Sequence, residues 1–198
     1  MILHQFRALR DDRRGATIIE FAIVAPVMLL LIMGLGDLLY QSYAQAILSG
    51  ALQKAARDSG IEGGAANTAA IDAQVEAMVK DIAPRATFTT TRENYDTFTE
   101  VPPEPFTDTN GNGVRDPGEC FTDENGNGIW DADLGTSGQG GASDVTLYTM
   151  TATYPHLFPV ARLLGMSANA TIKASTLLKN QPYATQSVTA TTNKSVCN

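Results

Sequence analysis

Arg13-Arg14-Gly15-Ala16-Thr17-Ile18-Ile19-Glu20-Phe21, running directly into an apolar stretch that ends at Gly36, decides the architecture of this chain. A glycine, one carboxylate and a helix of membrane length stand in fixed order behind a basic leader. Between Glu20 and Asp37 lie 16 uncharged residues, about 24 Å of helix, which falls short of the roughly 30 Å hydrocarbon core of a bilayer. Counting from Ala16 through Gly36 gives 21 residues and about 31 Å. Spanning therefore draws Glu20 into or against the lipid, at a cost on the order of 2.5 to 3.5 kcal/mol unless it finds a positive partner. Cutting the chain after Gly15 would create one, because the new amino group of Ala16 would lie about one helical turn from Glu20. The competing arrangement is an uncleaved anchor whose Glu20 stays in the head-group layer.

Gly15, four small or apolar residues, then Glu20-Phe21 at the head of an apolar helix resembles the processing site of type IV prepilins. The fuller run Arg-Gly-Ala-Thr-Ile-Ile-Glu-Phe-Ala-Ile-Val-Ala-Pro, from Arg14 to Pro26, is similar to the TadE-like family, pseudopilins of the tight-adherence (Flp, type IVb) pilus system. A weaker likeness covers Thr153-Tyr154-Pro155-His156-Leu157-Phe158-Pro159 and Leu163-Leu164-Gly165-Met166. The resemblance implies a pilin-like fold and cleavage between Gly15 and Ala16 by the prepilin peptidase. It also implies a role for Glu20 in subunit registration or extraction from the membrane, with other pilins and tight-adherence assembly proteins as partners. A conventional signal peptidase fits less well, since small residues do not follow the apolar run: Asp37-Leu38-Leu39-Tyr40 do.

Charge sets the orientation. Arg7, Arg10, Arg13 and Arg14 precede the span, and positive residues stay cytoplasmic, so the chain after about Asp37 is expected outside the inner membrane. That compartment is oxidising, and Cys120 and Cys197 could pair there, although two cysteines also allow a free pair. The formal net charge is −7, and loss of residues 1–15, with four Arg and two Asp, would leave −9. Such an acidic exterior would repel nucleic acid.

The remaining pattern predicts an α+β fold. Leu38, Leu39, Tyr43, Ala46, Ile47, Gly50 and Ala51 recur at three- and four-residue spacing and carry the spanning helix to about Arg57, before Gly60, Gly63 and Gly64. A second helix capped at Asn67 or Thr68 carries Ile71, Val75, Met78 and Val79. Strands are expected at Ala86 to Thr91, Tyr95 to Val101, Val145 to Thr153 and Ala170 to Leu178, with a short helical turn at Val160 to Leu164. The polar tail from Gln181 has little to bury except around Tyr183 and Val196. The domain reading is a leader over 1–15, a helix over 16–60 and a small antiparallel sheet domain over 61–198, with a calcium-loop insertion at 104–135.

That insertion holds the most distinctive chemistry. From Asp108 to Glu119 the chain fits the twelve-position calcium-loop pattern: Asp108, Asn110, Asn112, Asp116 and Glu119 stand at places one, three, five, nine and twelve, and Gly113 at place six. Fifteen residues later Asp123, Asn125, Asn127 and Asp131 repeat the design around Gly128. Val114 and Ile129 would offer main-chain carbonyls at place seven. Leu134 replaces the twelfth carboxylate of the second loop, so Asp133 must substitute or the site is weaker. Residues 104–133 carry eight acidic groups and one basic residue, Arg115, and should repel themselves into disorder without a cation. The implied cofactor is structural Ca²⁺; a turn-rich linker with solvated acids is the alternative.

Catalysis finds little support. His4 and His156 are the only histidines, the two cysteines and one external His cannot build a zinc site, and neither a nucleophile elbow nor a phosphate loop is visible. Asn169-Ala170-Thr171 and Asn193-Lys194-Ser195 fit the glycosylation pattern, which is common by chance. No small-molecule substrate is expected. Two functions fit: a pseudopilin or minor pilin that enters a tight-adherence pilus, or an unpolymerised, membrane-anchored, calcium-dependent surface or envelope adhesion protein.

Overall fold

A computed structural model describes residues 14–59, 67–181 and 194–197, with side chains of the first helix from Ile18 onward. The leader arginines Arg7, Arg10 and Arg13, together with His4, Gly60, Gly63, Gly64, Tyr183 and Asn193, lie outside the described residues. Two helices lead the described chain, α1 (Arg14–Ser59) and α2 (Thr68–Lys80), followed by strand β1 (Thr87–Tyr95). Then come β2 (Cys120–Asp123), β3 (Thr136–Ser137), β4 (Val145–Pro155), the short α3 (Val160–Leu163), β5 (Asn169–Lys179) and β6 (Lys194–Cys197). The arrangement is α+β. One sheet has the order β3-β1-β4-β5 and a second pairs β2 with β6.

The chain divides into two compact units, Met1–Tyr43 with Pro155–Ala170, and Ala44–Tyr154 with Thr171–Asn198. The division falls inside α1. The reason is burial: in the second unit Ala44, Leu48, Ala51, Leu52, Ala55 and Ala56 are all buried. Small residues on that face let the helix approach closely while Leu48 and Leu52, each worth about 1.5 to 3 kcal/mol when fully buried, fill the contact. The buried face is therefore offset from the expected stripe, for Leu38, Leu39 and Tyr43 are exposed and only Ala51 of that set is buried. Gln45 Nε2 donates to the Lys173 carbonyl at 2.9 Å and ties this part of α1 to β5.

Core side chains of the sheet come from alternate positions of β4, where Tyr148, Met150, Ala152 and Tyr154 are buried, and of β5, where Ala170, Ile172 and Ala174 are. β1 lies antiparallel to β4 in an unbroken register from Thr87 opposite Thr153 to Tyr95 opposite Val145. α2 buries Ile71, Val75 and Val79 and is fixed to the sheet through Asp72. Its carboxylate accepts from both terminal nitrogens of Arg92, at 3.0 and 2.5 Å, and from the Tyr148 hydroxyl. Burial, and next the carboxylate of Asp72, raise the Tyr148 hydroxyl above its ordinary pKa.

Two strand expectations change. β1 continues through Arg92-Glu93-Asn94 because those polar residues have partners: Arg92 on Asp72, and Asn94 Nδ2 on the Thr136 carbonyl at 2.7 Å. Tyr95 to Val101 is not a strand beyond Tyr95; it turns into a 3₁₀ segment at Phe98–Glu100. Glu100 holds that turn, accepting from Asp96 N at 2.9 Å and from the Thr97 hydroxyl at 3.3 Å. The tail contributes a strand that its composition hides, β6, paired from Cys120 opposite Cys197 to Asp123 opposite Lys194.

Candidate functional site

Both acidic loops fold to one hydrogen-bonding plan. In the first, Asp108 Oδ1 accepts from Gly111 N at 2.6 Å and Asp108 Oδ2 from Gly113 N at 2.7 Å. In the second, Asp123 Oδ1 and Oδ2 accept from Gly126 N and Gly128 N at 2.7 and 2.9 Å. The backbone curls tightly around each leading carboxylate, and glycine is required at place six, where Gly113 and Gly128 have φ of 76° and 77°. At the far side the amides of Asn110 and Asn112 both donate to Asp116 Oδ2, at 2.6 and 2.8 Å. Asn125 and Asn127 do the same to Asp131 Oδ2, at 2.8 and 2.7 Å. The fifteen-residue repeat in sequence is thus a repeat in geometry.

The twelfth place completes the comparison. Glu119 Oε1 accepts from Thr109 N at 2.7 Å and Oε2 from Asp116 N at 3.0 Å, the backbone groups of places two and nine. In the second loop the same two places belong to Glu124 and Asp131, and their N–H groups go to Glu104 Oε1 and Oε2 at 2.8 and 2.9 Å. Glu104, which precedes both loops, does for the second what Glu119 does for the first. Asp133, the residue expected to substitute, accepts instead from the Tyr95 hydroxyl at 2.9 Å and from Gly135 N at 2.8 Å. Burial, then the hydrogen bond it donates to the Asp133 carboxylate, push the Tyr95 hydroxyl above its ordinary range.

Glu104 is fully buried, and Glu119 and Asp123 are buried too. What buries them is a small aromatic core. Phe121 on β2 is enclosed, Phe106 meets Trp130 edge-on at 5.9 Å, and Trp130 Nε1 donates to the Glu104 carbonyl at 2.8 Å. The strand-like run around Phe106 pairs with β2, since Thr107 N donates to the Cys120 carbonyl and Thr122 N to the Pro105 carbonyl, each at 2.8 Å. Arg115 lies 5.2 Å above the Phe121 ring and donates to the Glu119 carbonyl. Cys120 and Cys197 form a disulfide across β2 and β6, their Cα atoms 4.0 Å apart. The loop pattern singles out neither Trp130 nor Glu104, and Glu104 stands in the sequence only as the first of the eight acids of residues 104–133.

As donors, the loops offer hard oxygens on a curved backbone, which suits Ca²⁺. Among the described residues no three His, Cys, Asp or Glu side chains are gathered so as to hold a metal ion by themselves. A calcium site here would have to include Asn and main-chain oxygens, and the amides of Asn110, Asn112, Asn125 and Asn127 would turn their oxygens inward. The Gly113 N–H, and after it those of Gly111 and Asn112, hold the Asp108 carboxyl below its ordinary pKa. Burial and then Glu100 and Glu104 raise that of Glu124.

The other sequence-singled feature is the head of α1. Gly15 and Ala16 lie within the helix backbone. From Ile18 to Leu39 the large apolar side chains other than Met33, which is half-buried, are exposed, Phe21 at 70% and Leu31 at 68% among them. Glu20 is exposed on the same segment. By length and composition α1 can cross a membrane, and none of its most apolar window is buried inside the chain. A helix apolar on every face must be covered by lipid or by other helices.

The described residues thus form an α+β arrangement with one candidate membrane span among them, near the N-terminus. Residues 15–57, almost the whole of α1, match the family model of TadE-like protein. No curated protein and no solved structure matches the chain significantly.

Proposed function

We propose that this protein is a membrane-anchored pseudopilin or minor pilin associated with a tight-adherence pilus, and that its sheet unit carries a calcium-stabilised loop pair to the outside. The observation that carries the reading is the TadE-like match over residues 15–57 on a helix whose apolar side chains from Ile18 to Leu39 are uncovered. That helix has two media open to it, lipid before assembly and neighbouring pilin helices after. Cleavage between Gly15 and Ala16 by a prepilin peptidase would give Glu20 an amino-group partner about one turn away. Partners are then the inner membrane, other pilins, assembly proteins and the peptidase. The role is structural rather than catalytic.

Within this reading Ca²⁺ is held by Asp108, Asn110, Asn112, Val114, Asp116 and Glu119 in one loop. Asp123, Asn125, Asn127, Ile129, Asp131 and Glu104 hold it in the other. The charge argument supports it, because buried carboxylates are costly unless compensated, and Glu104, Glu119 and Asp123 are all buried in an acid-rich segment. Chelation should then raise protease cutting between Pro105 and Leu134, and indifference to chelator would favour a metal-free linker.

A second reading, an unpolymerised calcium-dependent adhesion protein of the envelope, is favoured by the loop segment's own aromatic core and disulfide. Affinity purification from membranes of cells making the tight-adherence machinery separates the two. Recovery with pilins and assembly proteins supports the first, and recovery alone supports the second.

A further inference from the structure

Pro155–Ala170 belongs to the same compact unit as the membrane-length part of α1, and it displays apolar side chains that its unit leaves uncovered. Leu157, Leu163, Leu164 and Met166 are 57%, 70%, 69% and 65% exposed. They are not on a loose loop. After α3 the chain closes with Gly165 N on the Arg162 carbonyl at 3.1 Å and Met166 N on the Ala161 carbonyl at 2.9 Å. Gly165 sits at φ 73°, the left-handed C-terminal cap that sets the direction of the residues around it.

This turn is fastened to α1 at one level. Leu157 N donates to Asp37 Oδ1 at 3.0 Å, His156 Nδ1 is bonded to the other carboxylate oxygen, and the Phe158 ring lies over Gly36. A Cβ at Gly36 would come within 3.1 Å of Phe158 Cε2, so the absence of a side chain there is what admits the ring. Gly36 closes the apolar stretch and Asp37 is the first charge after it. Around them Leu35, Leu38 and Leu39 are 60%, 62% and 63% exposed, so the uncovered surface of the helix continues onto the turn. Arg162, exposed on the same turn, can bury its stem while its head reaches phosphate.

We propose that residues 156–166 form a second membrane contact, seated at the head-group and upper acyl level beside the end of the span. Leu157, Leu163, Leu164 and Met166 enter lipid and Arg162 meets lipid phosphate, as interfacial elements do. Asp37 is then an anchor point shielded by His156 and the Leu157 N–H, and the turn sets how deeply α1 sits. The proposal rests on α1 spanning a bilayer.

The test uses the full chain in phosphatidylcholine and phosphatidylglycerol vesicles. Nitroxide labels are placed in turn at Leu164→Cys, Met166→Cys, Leu29→Cys within the span and Thr99→Cys on the exposed 3₁₀ segment, and collisions with oxygen and with a water-soluble nickel chelate are compared. The expected result is an oxygen-to-nickel accessibility ratio at positions 164 and 166 several-fold above that at 99 and below that at 29. A ratio at 164 and 166 equal to that at 99, with 29 still in lipid, overturns the proposal and leaves the span intact. Protection from both reagents at 164 and 166 would mean a protein neighbour and overturns it equally. A water-exposed label at 29 removes the span itself.

Discussion

Glu104 accepts the backbone N–H of Asp131 at 2.9 Å across 27 residues of chain, and with that contact it closes the second acidic loop from outside the loop's own twelve places. The leucine at place twelve is therefore a displacement of the closing carboxylate rather than its loss. Two loops that differ in sequence end up with the same four backbone and carboxylate contacts, and the cost of burying Glu104 is met by two N–H groups and, in the proposed holo form, by Ca²⁺.

Replacing Glu104 should open the second loop while leaving the first in place. Glu104→Ala strands the N–H groups of Glu124 and Asp131, at about 1 to 3 kcal/mol for each buried unsatisfied group. Calcium titration by calorimetry is expected to lose the second loop's site, and chemical denaturation should show the destabilisation. Unaltered binding and stability would contradict the assignment.

Calcium should also be legible in the side-chain amides. Asn110, Asn112, Asn125 and Asn127 donate their NH₂ groups to Asp116 or Asp131, and a bound cation would take the oxygens of the same groups. Adding Ca²⁺ to the ¹⁵N-labelled protein is expected to move those four NH₂ resonances first, whereas unmoved NH₂ resonances at saturating Ca²⁺ would indicate loose counter-ion binding.

pH acts in opposite senses on the two loops. Asp108 has its folded pKa depressed by the Gly113 N–H, so its contribution is present above the unfolded value near 3.9 and fades as pH falls through the folded one. Glu124 has its pKa raised by burial, Glu100 and Glu104. Its contribution is complete below the unfolded value near 4.3 and is lost as pH rises through the folded value. The side-chain carboxyl carbons of Asp108 and Glu124 should titrate on opposite sides of those ordinary values, Asp108 below and Glu124 above, and coincident midpoints would contradict the prediction.

The Cys120 and Cys197 bond fixes β6 on β2. Cys120→Ser is expected to cost about 2 to 4 kcal/mol, read as a lower melting temperature, and to speed proteolysis of the tail. A wild-type mass that does not increase by two hydrogens on reduction would show the cysteines free.

Sequence pattern alone reached the long elements. The period of α2, the alternation in β4 and β5 and the turn at Val160 are local signals, and each lies where its spacing puts it. Most of the buried face of α1 escapes the pattern because Ala44, Ala55 and Ala56 look neutral beside Leu38 and Leu39, which are exposed. β6 was hidden in a polar tail because a four-residue strand stapled by a cysteine needs little hydrophobicity of its own. The contacts by which Glu104 closes the second loop depend on chain reversal at β2, which no spacing rule encodes, whereas Asp133 lies next to place twelve in sequence.

The most direct test of the account is the N-terminus of the mature protein, read by intact mass and N-terminal sequencing of material from cells that make the tight-adherence machinery. The account predicts a chain that begins at Ala16, with Gly15 and the leader removed. A chain that keeps Met1 through Gly15 and never copurifies with pilus components would contradict it.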